Sequence, residues 1–315
     1  MNDIAKLKQM ASIAHLYYRE KKNQTEIAKQ YGISHATVSR ILADAQNRGL
    51  VEIVIHYPWL RDYKLEAKLS DLFDLSGVRV LDSVELTPAD VLEGTGMLAA
   101  EIVDENMYDG ISIAVSRGRG VYWSAKCLNP HPNWKIDIVQ LQGAMEDELS
   151  ADRDLSSIFS DKYNAQFHVL HAPMILDDEE TQQTLLNKPL INKVFELARQ
   201  TKLALVGIGT LDLNYSNHYI SGEVTKEEIL ALQKEGFVGD ICGLHFDSNG
   251  VVPKTSINNR IICIDEASLK QIPLVIGVGV GESKAIPIQA ALRGDFLDYL
   301  VTDSIVANQL IEWNI

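Results

Sequence analysis

The 315-residue sequence is poor in cysteine, and its three cysteines lie far apart. Cys127, Cys242 and Cys263 form no CxxC pair, so the sequence contains no evident zinc site and predicts no bound metal and no cofactor. Isolated cysteines are typical of proteins that keep free thiols in a reducing compartment. The sequence therefore predicts a cytoplasmic protein.

Long apolar runs are also missing. No stretch reaches the roughly 18 apolar residues that a membrane-spanning helix needs, and the N-terminal residues form an amphipathic pattern rather than a signal peptide. Hydrophobic residues nevertheless make up 46% of the chain, which is enough for a sizeable core. The length predicts about two domains.

Positive charge is scarce overall but unevenly distributed. The net charge is −14, yet residues 1–60 hold eight Lys and Arg against five Asp and Glu, so the remaining 255 residues carry −17. A mildly basic head on an acidic body favours a DNA-binding module. Because a charge of +3 neutralises few phosphates, we expect a symmetric oligomer that presents at least two heads.

Residues 23–49 predict two short helices joined by a tight turn. Small Ala28 lets the helices cross closely, Gly32 supplies the left-handed residue that ends the first helix, and Ser34 is an N-cap for the second. An ordinary helical hairpin with a solvated face is the alternative. The combination and spacing of these residues favour a DNA-binding helix-turn-helix.

The outer face of the second helix carries short polar side chains and one long cation. Side chains of this kind reach base edges and phosphates in the major groove. The residues predicted to contact DNA are Gln24, Thr25, Ser34, His35, Ala36, Thr37, Ser39 and Arg40.

Two segments follow the helix pair. Residues 50–58 alternate like a strand, either a wing beside the helices or an exit strand. Residues 59–75 predict an amphipathic helix that either pairs with a sister chain or lies on the second domain. The predicted domains are a helix-turn-helix domain at 1–57, a linker helix at 58–76 and an effector and oligomerisation domain at 77–315.

From Val78 onward, short and almost wholly apolar runs alternate with helical patterns. This alternation predicts an α/β domain with a parallel, doubly wound sheet covered on both faces. In such sheets ligands bind beyond the carboxyl ends of the strands. The strand-like runs lie at 78–84, 111–116, 136–143, 167–173, 203–209, 261–264 and 274–281.

The first strand-to-helix loop with ligand-binding chemistry is Ser116, Arg117, Gly118, Arg119 and Gly120. Its glycines let backbone N–H groups approach an anion, and its arginines add positive charge. The pattern is not a P-loop, because it lacks GxxxxGK[ST]. Anion or sugar binding is favoured over a tight turn with solvated arginines.

Two further loops hold polar side chains. Glu282 and Lys284 close a glycine-rich strand end, which is either a binding loop or a structural turn. Asp240 and Asp247 follow in a third loop, where they either bind sugar hydroxyls or cap turns. Effector binding is predicted for Ser116, Arg117, Gly118, Arg119, Gly120, Gln142, Gly143, Asp240, Asp247, Glu282 and Lys284.

Over essentially its full length the sequence resembles the SorC (SorC/DeoR-type) family of sugar-responsive bacterial transcription regulators. The stretches SHATVSRILADAQNRGLVEI, AVSRGRGVYWSAKCL and IPLVIGVGVGESKAIPIQAALRGDFLDYLVTD carry the resemblance. It implies a helix-turn-helix, and a Rossmann-like effector domain related to sugar-phosphate isomerases and glucosamine-phosphate deaminases. It also implies a tetramer built as a dimer of dimers, operator DNA as partner, and a sugar or sugar phosphate as effector.

The resemblance implies effector contacts from Gly118, Arg119, Gly120, Gln142, Asp240 and Lys284. The sequence departs from the family where Arg117 replaces a frequent aromatic residue and Gly120 replaces a hydroxyl residue. Loss of that hydroxyl removes one phosphate donor, which favours an unphosphorylated sugar as effector over the sugar phosphate that the resemblance also allows. His35 stands where glutamine is common, so the operator bases that are read differ.

We therefore expect a transcription regulator, a repressor or an activator, of a sugar or polyol operon such as one for sorbitol or sorbose. The alternative is a sugar-phosphate isomerase or deaminase that carries a DNA-binding head. Such an enzyme needs an acid–base pair, for which Asp240, Asp247 and Glu282 are the candidates.

Overall fold

The computed structural model describes residues 3–51, 58–144 and 155–313. The chain divides into two compact units, Met1–Pro58 and Trp59–Ile315. Most of the strand predicted at 50–58 lies outside the described residues. Among the helices that the structure describes, none combines the length and apolarity needed to cross a membrane.

The described part of the N-terminal unit contains three helices, α1 (Asp3–Tyr18), α2 (Gln24–Tyr31) and α3 (His35–Asn47). Asn23 and Glu26 form a capping box at the start of α2, and Gly32 ends that helix with a φ of 65°. The Ser34 hydroxyl accepts a hydrogen bond from the backbone N–H of Thr37 at 3.1 Å, which starts α3. The two predicted helices and the turn between them are confirmed.

A separate hydrophobic core holds the three helices together. It is formed around Ile13, Ile27, Val38, Leu42 and Ala45, all buried. The sequence pattern predicts a first helix over residues 4–22, but α1 ends at Tyr18, and the φ of 58° at Lys21 is incompatible with a right-handed helix there.

The second unit alternates strands and helices. Its strands are β1 (Gly77–Leu81), β2 (Ser112–Val115), β3 (Asp137–Gln140), β4 (Gln166–His168), β5 (Leu203–Gly207), β6 (Phe237–Ile241), β7 (Leu244–Asp247), β8 (Val275–Val278) and β9 (Tyr299–Asp303). Its α-helices are α4 (Tyr63–Phe73), α5 (Pro88–Asn106), α6 (Arg119–Cys127), α7 (Glu179–Leu186), α8 (Pro189–Gln200), α9 (Asn217–Ile220), α10 (Lys226–Lys234), α11 (Glu266–Lys270), α12 (Ala285–Arg293) and α13 (Ser304–Glu312).

Seven parallel strands form the main sheet in the order β1-β9-β8-β5-β2-β3-β4. From β2 the chain proceeds to one side through β3 and β4, and from the neighbouring β5 it proceeds to the other side through β8 and β9. The loops after β2 and β5 therefore diverge and leave a crevice between them. Two separate groups of buried apolar side chains pack against the sheet. The predicted doubly wound α/β fold is confirmed.

The segment predicted as a third ligand loop is instead an antiparallel hairpin of β6 and β7. Cys242 and Gly243 form its turn with φ values of 51° and 87°, the left-handed pair that two-residue hairpins require. The backbone N–H of Gly209 donates to the carbonyl of Asp240 at 2.7 Å. The hairpin is thereby attached to the loop after β5, at the carboxyl ends of the strands.

Other local expectations were also wrong. The sequence pattern predicts one helix over residues 181–200, but the structure has two, α7 and α8. Pro189 begins α8, because proline is tolerated in the first turn of a helix. Residues 261–264 form isolated bridges with Ile175 and Gln142 instead of a strand. Strand β9 and helix α13 were not predicted.

Helix α4 lies on the second unit. Leu65 and Leu69 are buried in the core beside Val78 and Val80 of β1, so this face of the helix packs on the second unit. The sequence pattern predicts that Gly77 ends this helix, but Asp74 ends it in the left-handed conformation with a φ of 50°.

The amphipathic helix also carries a buried ion pair. The guanidinium of Arg61 donates two hydrogen bonds to the carboxylate of Glu66, at 2.8 and 2.6 Å. Glu66 Oε1 also accepts the backbone N–H of Val80 at 3.0 Å, so one carboxylate joins helix and strand.

Replacing Glu66 with alanine should destabilise the protein by about 3 kcal/mol, because it leaves the guanidinium and a buried N–H without their acceptor. Glu105→Ala is the control, since the Arg79–Glu105 pair is 3.7 Å long and its carboxylate is 62% exposed. That loss should be at most about 0.5 kcal/mol. Urea unfolding measures both, and equal losses would contradict the prediction.

Candidate functional site

A cavity of about 400 Å³ occupies the crevice between the loops after β2 and β5. This volume is typical of sites for small molecules. The hairpin and the short helix α9 complete its walls. Seven of the eleven predicted effector residues line it, namely Arg117, Gly118, Arg119, Gly120, Gln142, Asp240 and Lys284.

Helix α6 begins at this cavity without a side-chain cap among the described residues. Its first backbone N–H groups are therefore available to an anion. Gly118 has a φ of 138°, which disfavours any residue with a side chain. A Cβ on Gly120 would lie 2.7 Å from Cγ1 of Val278, so close packing explains why glycine stands where the family has a hydroxyl residue.

Positive charge lines the cavity next to the start of α6. Burial lowers the pKa of Lys284 to about 8. The carboxylate of Asp240 raises this pKa and the guanidinium of Arg119 lowers it, but burial has the largest effect. Lys284 is therefore an ammonium ion at neutral pH, but one that loses its proton more readily than a surface lysine.

The opposing carboxylate is deeply buried. Burial on its own would raise the pKa of Asp240, but His218, His245 and Lys284 together hold it well below its usual value. Burial likewise acts to lower the pKa of His218, whereas Asp240 and Glu223 raise it to about 9. Asp240 Oδ2 lies 3.3 Å from Nε2 of His218, so a cation–carboxylate pair forms one wall of the cavity.

Two predicted residues support the cavity without lining it. The buried hydroxyl of Ser116 accepts the backbone N–H of Gly207 at 2.9 Å and so joins the loops after β2 and β5. Gly143 packs against the carbonyl of Pro173, where a Cβ would approach to 2.5 Å. Both residues are used in packing rather than for ligand contact.

Asp247 and Glu282 also lie away from the cavity. Asp247 Oδ1 accepts the backbone N–H groups of Asn249 and Val251, at 2.8 and 3.0 Å, so it caps a turn. Glu282 is exposed and lies 3.5 Å from Nε2 of Gln309. The sequence placed both carboxylates near a strand end but could not show which way they point.

Several residues that line the cavity were missed. Asn214, Tyr215, Asn217, His218 and Ser221 come from the segment after β5 and from α9. A run of polar residues after a strand end was the available signal, but residues 211–221 contain no glycine and only one Asp, Glu, Lys or Arg residue, namely Asp212.

The predicted DNA-contacting side chains lie together at the starts of α2 and α3. Ser34 and Thr37 bond to each other through their hydroxyls at 2.8 Å, so part of their hydrogen-bonding capacity is used in starting the helix. Gln24 and Thr37 are half-buried. The exposed members of the set are Thr25, Ser34, His35, Ala36, Ser39 and Arg40.

The family model described as "Putative sugar-binding domain" matches residues 57–312. This chain belongs to that family. Its N-terminal helices and the full-length similarities below make it a transcription regulator of the SorC type, as the sequence resemblance implied.

Three relatives show how far the similarity extends. The sequence is 28% identical over 315 residues to the deoxyribonucleoside regulator of Bacillus subtilis strain 168, covering 96% of this chain and 98% of that protein. It is 27% identical over 311 residues to the sorbitol operon regulator of Klebsiella pneumoniae, covering 96% and 97%. The transcriptional regulator LsrR of Escherichia coli K12 is 29% identical over 306 residues, covering 96% and 94%.

The crystal structure of the full-length sorbitol operon regulator SorC from Klebsiella pneumoniae matches the fold with a TM-score of 0.71 and 26% identity. The match covers 97% of this chain and 99% of that one. These proteins are named as regulators rather than enzymes, which confirms the regulator and rejects the isomerase or deaminase alternative.

The affinity of the cavity for sulfate should fall as pH rises through about 8. Lys284 is cationic below its pKa and neutral above it, whereas the charge of sulfate is constant over this range. Isothermal titration calorimetry on both sides of pH 8 measures the change. In Lys284→Arg the guanidinium stays charged, so the decrease in sulfate affinity near pH 8 should disappear. Only a decrease near pH 9 should remain, because His218 loses its positive charge there. An unchanged decrease in that variant would contradict the assignment.

Proposed function

We propose that this protein controls a sugar or polyol catabolic operon, such as one for sorbitol or sorbose, in response to a sugar phosphate bound in the cavity. The observation that carries the proposal is the meeting of the uncapped N-terminus of α6, Arg119 and Lys284 with the carboxylate of Asp240. The names of the relatives support a metabolite of the sugar class.

The two chemistries in the cavity suit two parts of one ligand. Backbone N–H groups at a helix start, together with a nearby ammonium, favour a phosphate group. A buried carboxylate that stays ionised accepts hydrogen bonds from hydroxyl groups. Although Gly120 offers no hydroxyl, the backbone donors of α6 remain, so a phosphate site is retained.

The proposed DNA contacts come from the exposed start of α3. His35, Ala36 and Ser39 are short enough to approach base edges, while Arg40 reaches further. The surface here is only weakly basic, since residues 1–60 carry a net charge of +3. We therefore propose a tetramer, a dimer of dimers, in which several heads bind one operator.

Fluorescence anisotropy with DNA from upstream of the operon tests this function, using sugars, polyols and their phosphates as additions and a scrambled duplex as control. Specific binding that one sugar phosphate shifts supports the proposal, because the two sites must then be coupled. Absence of specific DNA binding at moderate salt would refute the DNA-binding role. A response only to an unphosphorylated sugar would refute the phosphate assignment.

Arg40→Ala should weaken operator binding about tenfold to a hundredfold, because it removes one long cation from the face proposed to enter the major groove. Effector affinity should not change. Lys202→Ala, which removes one exposed cation of the second unit, is the control and should leave DNA affinity unchanged. If the two variants bind DNA equally well, Arg40 is not on the recognition face.

Lys284→Ala should abolish the response to the effector while operator binding in its absence stays normal. The variant removes the ammonium that faces Asp240 without touching the N-terminal helices. Calorimetry with the active sugar phosphate measures the loss. Lys226→Ala, at an exposed position in α10, is the control. A normal heat of binding in Lys284→Ala would remove this residue from the site.

A further inference from the structure

Two imidazoles and one carboxylate converge beside the cavity. His218 comes from α9, Asp240 from β6 and His245 from β7, and their exposed fractions are 4%, 8% and 0%. One nitrogen or oxygen atom of each residue lies within 4.8 Å of those of the other two. The sequence analysis predicted no metal site, because it did not predict the hairpin that brings these residues together.

The hairpin fixes two members of the cluster. Asp240 and His245 are directly opposite each other across β6 and β7, so their side chains lie on the same face of the hairpin. The third member approaches from α9, with its ring centroid 5.3 Å from that of His245. The arrangement is thus held by backbone pairing rather than by side-chain contact alone.

Hydrogen bonding within the described residues does not explain this cluster. Both ring nitrogens of His245 are buried and make no hydrogen bond of good geometry to a described residue. Asn258 acts on this imidazole only weakly, because its amide oxygen accepts the backbone N–H of His245 and its amide nitrogen donates to the C=O, at 2.9 Å each. A buried imidazole without a well-formed hydrogen bond is unusual and points to a ligand at one of its nitrogens.

We propose that His218, Asp240 and His245 bind a divalent transition-metal ion of the zinc class at the wall of the cavity. Imidazole nitrogen is a preferred ligand of such ions, whereas Mg²⁺ and Ca²⁺ prefer oxygen. Two ligands of a tetrahedral zinc ion lie about 3.3 Å apart when each bond is about 2.0–2.1 Å long. The 3.3 Å between Nε2 of His218 and Oδ2 of Asp240 matches that spacing.

The surroundings of His218 also fit a metal ligand. Oε2 of Glu223 lies 3.8 Å from Nδ1 of His218, on the side of the ring opposite Asp240. A carboxylate in this position accepts the N–H of a metal-bound imidazole, orients the ring and makes it a stronger ligand. Binding of the ion through Nε2 would replace the proton on that nitrogen, which faces Asp240, whereas the proton on Nδ1 stays directed toward Glu223.

The remaining coordination position would be open to the cavity. His218 and Asp240 line the cavity, whereas His245 lies behind them. Three protein ligands leave one position of a tetrahedral ion for water or for a hydroxyl oxygen of a bound ligand. The site does not depend on the proposed function, since the ion binds whether or not the protein responds to sugar or DNA.

Titration of the tag-free, chelator-treated full-length protein with Co²⁺ tests this site. We expect visible d–d absorption bands that saturate at one ion per chain and disappear when Zn²⁺ displaces Co²⁺. X-ray absorption of the zinc-loaded protein should then show two imidazole ligands. Absence of saturable bands, or fewer than two imidazoles, would overturn the proposal without any variant.

His245→Gln should weaken Co²⁺ binding at least about a hundredfold, and Glu223→Gln by about tenfold to a hundredfold. His171→Gln is the matched control, because His171 is exposed and forms no such cluster with the other residues that the structure describes. Circular dichroism checks that each variant is folded. If His245→Gln does not fold, the X-ray absorption spectrum of the zinc-loaded protein tests the proposal without that variant. Equal affinities in His245→Gln and His171→Gln would place the ion elsewhere and overturn the proposal.

Discussion

The reversal of strand order between the neighbouring parallel strands β2 and β5 is the constraint on which the second unit depends. Parallel strands direct all their carboxyl ends to one edge, and the two neighbouring strands send their connections to opposite sides. A crevice results from topology alone, before any particular side chain is considered. The hydroxyl of Ser116 keeps its walls in register by accepting the N–H of Gly207. The α6 terminus and the hairpin then supply the chemistry.

Burial gives the cavity its electrostatic character. Asp240 remains ionised because His218, His245 and Lys284 surround it, and Lys284 remains available to an anion because the same carboxylate offsets its burial. Each charge therefore depends on the others, and a ligand that carries both hydroxyls and an anionic group meets complementary partners. Neutralising one residue would change the ionisation of its neighbours as well as its own contact.

The features that could be predicted from the sequence are those encoded by residues close together in the chain. The caps at Asn23 and Ser34 and the turn at Gly32 are encoded within a few residues, so the helix-turn-helix could be predicted. The hairpin could not, since its turn is Cys242-Gly243 instead of the usual Asn-Gly and its strands contain buried polar residues. Strand β9 was missed for a similar reason, since its last residue, Asp303, is also a buried polar residue. The Asp303 carboxylate accepts the backbone N–H of Gly281 at 2.6 Å.

The separate core of the first three helices has an evolutionary consequence. Because Ile13, Ile27, Val38 and their neighbours bury one another within residues 3–51, recombination that exchanges this segment between related genes transfers its hydrophobic core intact. On the proposed division of roles, the choice of operator and the choice of effector can then evolve separately. A regulator of this kind can acquire a new target gene and retain its effector, or retain the target gene and change the effector.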